Sequence, residues 1–243
     1  MDDVKKFDLV IIGTTQARFC FQEECCNIPA KNLSMNYSSF YSQKQSLEDN
    51  KNYINPDAKI LLTIQYPIYL CNHDTNKTQL HFPEDWMMNY EEETKQNLYK
   101  NAFTPEQVQE RIDKLITGWE REVYPFTVRN CSPDMNNGEM QKRLLKSLSL
   151  HQKIIDYSLT NGWKPVLVGL PYSKELTSNI PYEFVNDCFF KCAKSLSRSN
   201  DISFLDYSTD EEFSSIQNYL DVWYLNVPGR EAFTKRLVED LGV

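Results

Sequence analysis

Two kinds of segment alternate along this chain, and their alternation restricts the fold more than any other feature. Asp8-Leu-Val-Ile-Ile-Gly13 is a short apolar run closed by glycine, the pattern of a strand buried on both faces of a parallel sheet. Lys59-Ile-Leu-Leu-Thr-Ile64 and Pro165-Val-Leu-Val-Gly-Leu170 repeat it. Ile202-Ser-Phe-Leu-Asp206 reads as a fourth strand and Lys31-Asn-Leu-Ser-Met35 as a fifth. Between them lie helical stripes with recognisable ends. Thr104-Pro105-Glu106-Gln107 supplies an N-cap, a first-turn proline and a capping-box glutamine, after which Val108, Ile112, Leu115, Ile116, Trp119 and Val123 recur at helical spacing. Glu139 to Leu159 forms another stripe, closed by Asn161-Gly162, and Phe184 to Leu196 and Arg230 to Leu241 read likewise. Strands alternating with helices imply βαβ crossovers. The expected fold is therefore an α/β, three-layer α/β/α sandwich with about five parallel strands, a single domain over residues 1–243. The polar segment Asn72 to Phe103, with Trp86, Met87 and Met88, breaks the rhythm and reads as an insertion, either a loop or a pair of small helices.

Charge and residue counts remove several function classes. A formal charge of −8 repels phosphate backbones, and no local basic patch suited to nucleic acid is evident, so no nucleic-acid partner is expected. The longest nearly apolar stretch, Ala58 to Cys71, is interrupted by Gln65 and Pro67 and falls short of the roughly 20 residues of a spanning helix. The start, Met1-Asp-Asp-Val-Lys-Lys, lacks the apolar core of a signal peptide, and the chain as given reads as cytoplasmic. Seven cysteines show neither disulfide nor Cys-x-x-Cys spacing, which fits reduced thiols. None of the seven glycines forms a dinucleotide or phosphate loop, and His73, His81 and His151 form no ligand cluster. No cofactor and no metal are expected.

In open parallel sheets ligands bind beyond the carboxyl ends of the strands, where strand order reverses. Here that rim consists of Gly13-Thr14-Thr15-Gln16, Asn36, Gln65-Tyr66, Pro171-Tyr172-Ser173, Asp206 and the stretch after Tyr219. Two of these segments carry a resemblance. Phe7-Asp-Leu-Val-Ile-Ile-Gly13-Thr14-Thr15-Gln16-Ala17-Arg18 resembles the opening block of the SGNH/GDSL hydrolase superfamily, particularly its bacterial branch associated with exopolysaccharide and capsule biosynthesis. Tyr219-Leu-Asp221-Val-Trp-Tyr224-Leu225-Asn226-Val-Pro-Gly229, continuing to Phe233-Thr234, resembles that branch's closing block, Asp-x-x-His-Leu-Asn-x-x-Gly-x-x-x-Phe-Thr. Pro165 to Ser173 resembles its late strand and Pro-Tyr-Ser turn.

The resemblance implies a flavodoxin-like sheet and a serine–histidine–aspartate triad, with substitutions. Thr15 stands where the family has its nucleophilic serine, Tyr224 where it has the histidine base, and Asp221 at the triad acid. A hydroxyl is a weak nucleophile until a base takes its proton. A phenol of reference pKa about 10 does this poorly at neutral pH. For the oxyanion hole the resemblance points to the Thr15 N–H, with Asn36 or a neighbour and Gln65 or Tyr66 at the other donor positions. Thr14, Gln16, Tyr172 and Asn226 complete the expected substrate-binding set.

Plainer roles compete at each position. Thr14-Thr15 can be a polar turn whose hydroxyl caps the next helix, and Asp221 an Asx turn. Asn226 and Gly229 suit the turn into the last helix. His151 sits on an apolar helix face as a structural residue. His73 and His81 are either substitute bases or solvated loop histidines. Cys20, Cys25 and Cys26 near the first turn are structural or idle thiols without a histidine partner. Trp86, Tyr90, Tyr172, Trp223 and Tyr224 would make an aromatic rim suited to sugar faces. Two functions follow: an esterase or O-acyltransferase acting on carbohydrate esters, or a catalytically retired protein binding a carbohydrate, an acylated small molecule or a partner in polysaccharide biosynthesis.

Overall fold

The structure, a computed structural model, describes residues 6–36, 38–71, 73, 104–123, 128, 138–220 and 222–243. Strands β1 (Phe7–Ile12), β2 (Ala30–Asn32), β3 (Ile54–Ile64), β4 (Lys164–Gly169) and β5 (Phe204–Asp206) form one sheet in the order β2-β1-β3-β4-β5. Every pairing is parallel. This is the flavodoxin-like order, and its direction reverses between β1 and β3.

Alternation along each strand assigns the two faces. Leu9, Ile11, Leu61, Val166 and Val168 pack with α1 (Thr15–Cys20) and with Phe233, Leu237 and Val238 of the last helix, Val227–Leu241. Val10, Ile12, Ile60, Leu62, Ile64 and Leu167 point the other way. They meet α2 (Phe40–Asn50), α3 (Pro105–Val123) and α4 (Gly138–Thr160). The chain then forms α5 (Lys174–Thr177), α6 (Tyr182–Val185), a π turn at Asn186–Phe190 and α7 (Lys191–Asn200), so the last helix is α8. Helices on both sheet faces make the three-layer sandwich that the alternation of segments predicts.

Local chemistry sets the element ends. Thr104 and Gln107 exchange the two capping-box hydrogen bonds, Gln107 N to Thr104 Oγ1 at 3.3 Å and Thr104 N to Gln107 Oε1 at 2.9 Å. Gly162 closes α4 at φ 78°, where a side chain would be strained. β2 ends earlier than its sequence suggests, because Asn32 folds back on its neighbours: Oδ1 accepts from Ser34 N at 3.0 Å, and Nδ2 donates to Ala17 O at 3.1 Å. β3 begins earlier than the run from Lys59, passing through Pro56 and the left-handed Asp57 with a register shift against β1. The expected helix from Phe184 starts at Tyr182 and continues, through the π turn, to Asn200. Of the insertion expected at 72–103, only His73 is among the described residues. No helix among them is long and apolar enough to cross a membrane.

Candidate functional site

The turn from β1 into α1 is held by its backbone. Gly13 O accepts from Ser38 Oγ at 2.6 Å and from Met35 N at 3.2 Å, tying the end of β1 to the segment after β2. Thr63 Oγ1 donates to Ile12 O at 3.0 Å. A Cβ on Gly13 would lie 1.8 Å from Thr63 Oγ1 and 2.8 Å from the Ala17 Cβ, so only glycine lets the two strands and α1 approach this closely. Ser38 and Thr63 were not singled out in the sequence. The threonine interrupting Ile60–Ile64 is the one signal that pointed to a polar contact there.

Thr14 is the N-cap of α1, yet its hydroxyl does not cap the helix. It donates instead to Gln65 Oε1 at 2.8 Å, joining the ends of β1 and β3 across the reversal of strand order. Gln65 Nε2 is thereby left buried with no partner among the described residues. Thr15 opens α1 directly beside this bond and is 3% exposed. Gln16, fully buried, donates Nε2 to Pro171 O at 3.3 Å while its Oε1 has no described partner. Asn36 is half-buried, with Oδ1 shielded and likewise unpartnered among the described residues. Three of the four such amide atoms among the described residues, those of Gln16, Asn36 and Gln65, follow the carboxyl ends of β1, β2 and β3, where a parallel sheet binds its ligands.

The closing segment packs against this turn. Asp221 lies outside the described residues. On either side of it, Leu220 N donates to Tyr224 O at 2.7 Å and Ser173 Oγ donates to Val222 O at 2.8 Å. Tyr224, 2% exposed, presents its ring to the edge of Phe19 at 5.4 Å, one turn after Thr15 on α1, and stacks on Trp223 at 4.9 Å. Trp223 meets Trp119 of α3 edge-on at 5.7 Å. Gln22 N, in the segment after α1, also donates to Thr234 Oγ1 of the closing block at 3.0 Å. Asn226 caps α8 by accepting from Gly229 N at 2.6 Å and donates its amide to Gln217 O. These contacts give it the turn-forming role.

The aromatic rim expected to receive sugar faces is not open. Tyr172 is buried, stacks on Tyr66 at 4.2 Å, and accepts a hydrogen bond from Tyr66 N at 3.1 Å; Trp223 and Tyr224 are core residues too. Each ring fills space between the strand ends and the helices instead of standing out from them. Trp86 and Tyr90 lie outside the described residues.

His73 is not a solvated loop histidine, and His151 is structural, as its apolar helix face implies. His73 is 1% exposed, with Nε2 against Ile68 O at 2.9 Å and its ring stacked on Phe40 at 4.6 Å. His151 stacks on Phe40 as well, at 4.7 Å, and its Nδ1 meets the Tyr69 hydroxyl at 3.0 Å. Burial pushes His73 down to about 4 and His151 down to about 3, so both are neutral near pH 7. His81 lies outside the described residues. Burial pushes the Cys20 thiol up to about 12 and Cys26 up to about 11, the opposite of an activated nucleophile. Among the described residues no group of three His, Cys, Asp or Glu side chains is placed to hold a metal ion.

No protein-family model matches the chain, and no curated protein matches it. Solved structures do. Protein YXIM of Bacillus subtilis superposes with a TM-score of 0.54 at 11% identity, over 98% of this chain and 57% of its own. The present chain thus spans little more than half of that relative. A GDSL-like lipase of Bacteroides thetaiotaomicron (TM-score 0.42, 11% identity, 96% and 88% covered) and a lipase/acylhydrolase of Enterococcus faecalis (0.40, 8%, 96% and 94%) also match. At 11% identity the likeness to YXIM is one of fold.

Proposed function

We propose that this chain is an SGNH-hydrolase-like protein that handles acyl esters of carbohydrates at the rim around Thr15, as an esterase or O-acyltransferase. The observation that carries the reading is the Thr14–Gln65 bond across the β1/β3 switch point. Thr15 follows Thr14 at the start of a helix, and the Gln65 amide that Thr14 holds keeps a buried donor that no described residue uses. In this scheme Thr15 Oγ1 attacks the acyl carbon, and its proton passes to a base. The carbonyl oxygen, now negative, is held by the Thr15 N–H and Gln65 Nε2. The acyl–oxygen bond to the sugar then breaks, and the leaving alkoxide takes up the proton. Water or an acceptor hydroxyl removes the acyl group from Thr15. Asp221 and Tyr224 occupy the acid and base positions by resemblance, Gln16 and Asn36 offer acceptors to substrate hydroxyls, and a role in polysaccharide biosynthesis belongs to the same reading.

A second reading, a non-catalytic binder of acylated carbohydrate, is favoured by the packing of the proton-handling groups. The Tyr224 ring is fixed between Phe19 and Trp223, and both described imidazoles are stacked on Phe40. Titrating the protein with a peracetylated monosaccharide and with its deacetylated parent, while following tryptophan fluorescence, tests what the two readings share. The acetylated sugar is expected to bind more tightly, and Gln65→Leu to weaken it. Equal affinity for both sugars would refute the ester preference. Ester turnover then separates an enzyme from a binder.

A further inference from the structure

On the sheet face away from α1, helices α4 and α7 leave a concavity of 360 Å³ between them. Leu144, Leu145, Leu148 and the Cys192 side chain line it. Leu145 is 67% exposed at its edge. Burial pushes the Cys192 thiol up to about 12, so the floor of the groove is an uncharged sulfur. Along α7 the groove adjoins a second depression of 470 Å³ lined by Lys191, Lys194, Ser195, Arg198 and Ser199; Lys191 and Ser195 belong to both. Lys142, exposed one turn before Leu145, adds a cation on the α4 side. The acidic side chain lining the groove is Asp187, and it is tied to Lys191. Lys194 lies over the Phe190 ring at 5.4 Å. A chain of formal charge −8 therefore places an apolar groove beside a row of cations.

We propose that this groove docks an acidic amphipathic helix of another protein, with apolar side chains seated on Leu145 and Leu148 and carboxylates facing Lys194 and Arg198. Two helices side by side form a trough into which the apolar edge of a third helix fits. The cations alongside it select for a negatively charged occupant by charge complementarity. A symmetric contact between two copies of the chain would lay one cationic row on the other, which is repulsive. A lipid surface is better met by a protruding apolar ridge than by a trough. The inference does not depend on the chemistry at Thr15.

The test uses the full chain and a fluorescent synthetic helix carrying leucines at i, i+3, i+4 and i+7 bordered by glutamates, with the same peptide bearing lysines as its counterpart. The glutamate peptide is expected to bind, more weakly as salt rises, and to perturb the backbone amide signals of α4 and α7. Leu145→Glu and the pair Lys194→Glu with Arg198→Glu change exposed residues, so the melting temperature should stay near that of the wild type. Each should weaken binding by about tenfold or more. Equal binding of the lysine peptide, failure of the glutamate peptide to bind, or indifference to these substitutions would overturn the proposal. So would phosphatidylglycerol vesicles that bind this face when the peptide does not, or a dimer in sedimentation that Leu145→Glu dissociates.

Discussion

The Thr14 hydroxyl donates to Gln65 Oε1 at 2.8 Å, in a buried position where the ends of β1 and β3 diverge. Because β1 leads outward to β2 and β3 starts the other half of the sheet, this bond spans the one place where neighbouring connections leave in opposite directions. It fixes which end of the Gln65 amide faces inward, and so aims Nε2.

Thr14→Val removes the donor while keeping the shape. Gln65 Oε1 is then left buried without its partner, at a cost of about 1–3 kcal/mol in urea unfolding. Any ester turnover by the protein should fall as well, because the amide is no longer oriented. Unchanged stability would mean that the bond is not formed in solution.

Gly13→Ala inserts a methyl group 1.8 Å from Thr63 Oγ1. Overpacking of this kind costs about 1–3 kcal/mol. Combining it with Thr63→Ala relieves the closer of the two clashes, so the double variant should be more stable than the sum of the single changes predicts. Strict additivity in chemical denaturation would contradict the contact.

How much of this was legible in the sequence depends on what each residue needed to reveal it. β1 and β4 were readable because an unbroken apolar run closed by a turn has one economical place in an α/β fold. The start of α3 was readable because Thr104 and Gln107 are close enough in sequence to bond each other. Helix α2 was not: its buried face consists of Phe40, Gln43 and Leu47, and the glutamine interrupts the stripe. Thr15 was singled out by the resemblance of the opening block, but the pairing of Thr14 with Gln65 depends on the register of β1 against β3, which no local pattern encodes. Tyr172, Trp223 and Tyr224 looked like an open rim because tyrosine and tryptophan occur both inside and outside proteins. Their burial is decided by α1, α3 and the closing segment arriving from distant parts of the chain. The stacking of His73 and His151 on one phenylalanine is a tertiary event of the same kind.

That stacking predicts a pH dependence. Burial holds His73 at about 4 and His151 at about 3 in the folded chain, against 6.5 for the free group. Between those values the unfolded chain binds protons that the folded chain does not, so stability is complete above pH 6.5 and is lost as pH falls below it. By pH 5 the loss amounts to roughly 2 kcal/mol for each imidazole. Urea midpoints at pH 7.5 and pH 5 should show it, and His73→Leu should reduce the difference. A midpoint that does not move across this window would refute neutral burial of both rings.

The central claim is that Thr15 and Tyr224 stand at the nucleophile and base positions of an acyl-ester site. The most direct test is turnover of an aryl acetate by the wild type, by Thr15→Ala and by the double variant Thr15→Ser with Tyr224→His. The wild type should be slow, since a phenol is a poor base at neutral pH. Thr15→Ala should remove whatever activity there is. The double variant should gain roughly 10²–10⁴-fold, because a positioned imidazole restores general-base catalysis. A folded double variant that binds the ester yet turns it over no faster than Thr15→Ala would contradict the account.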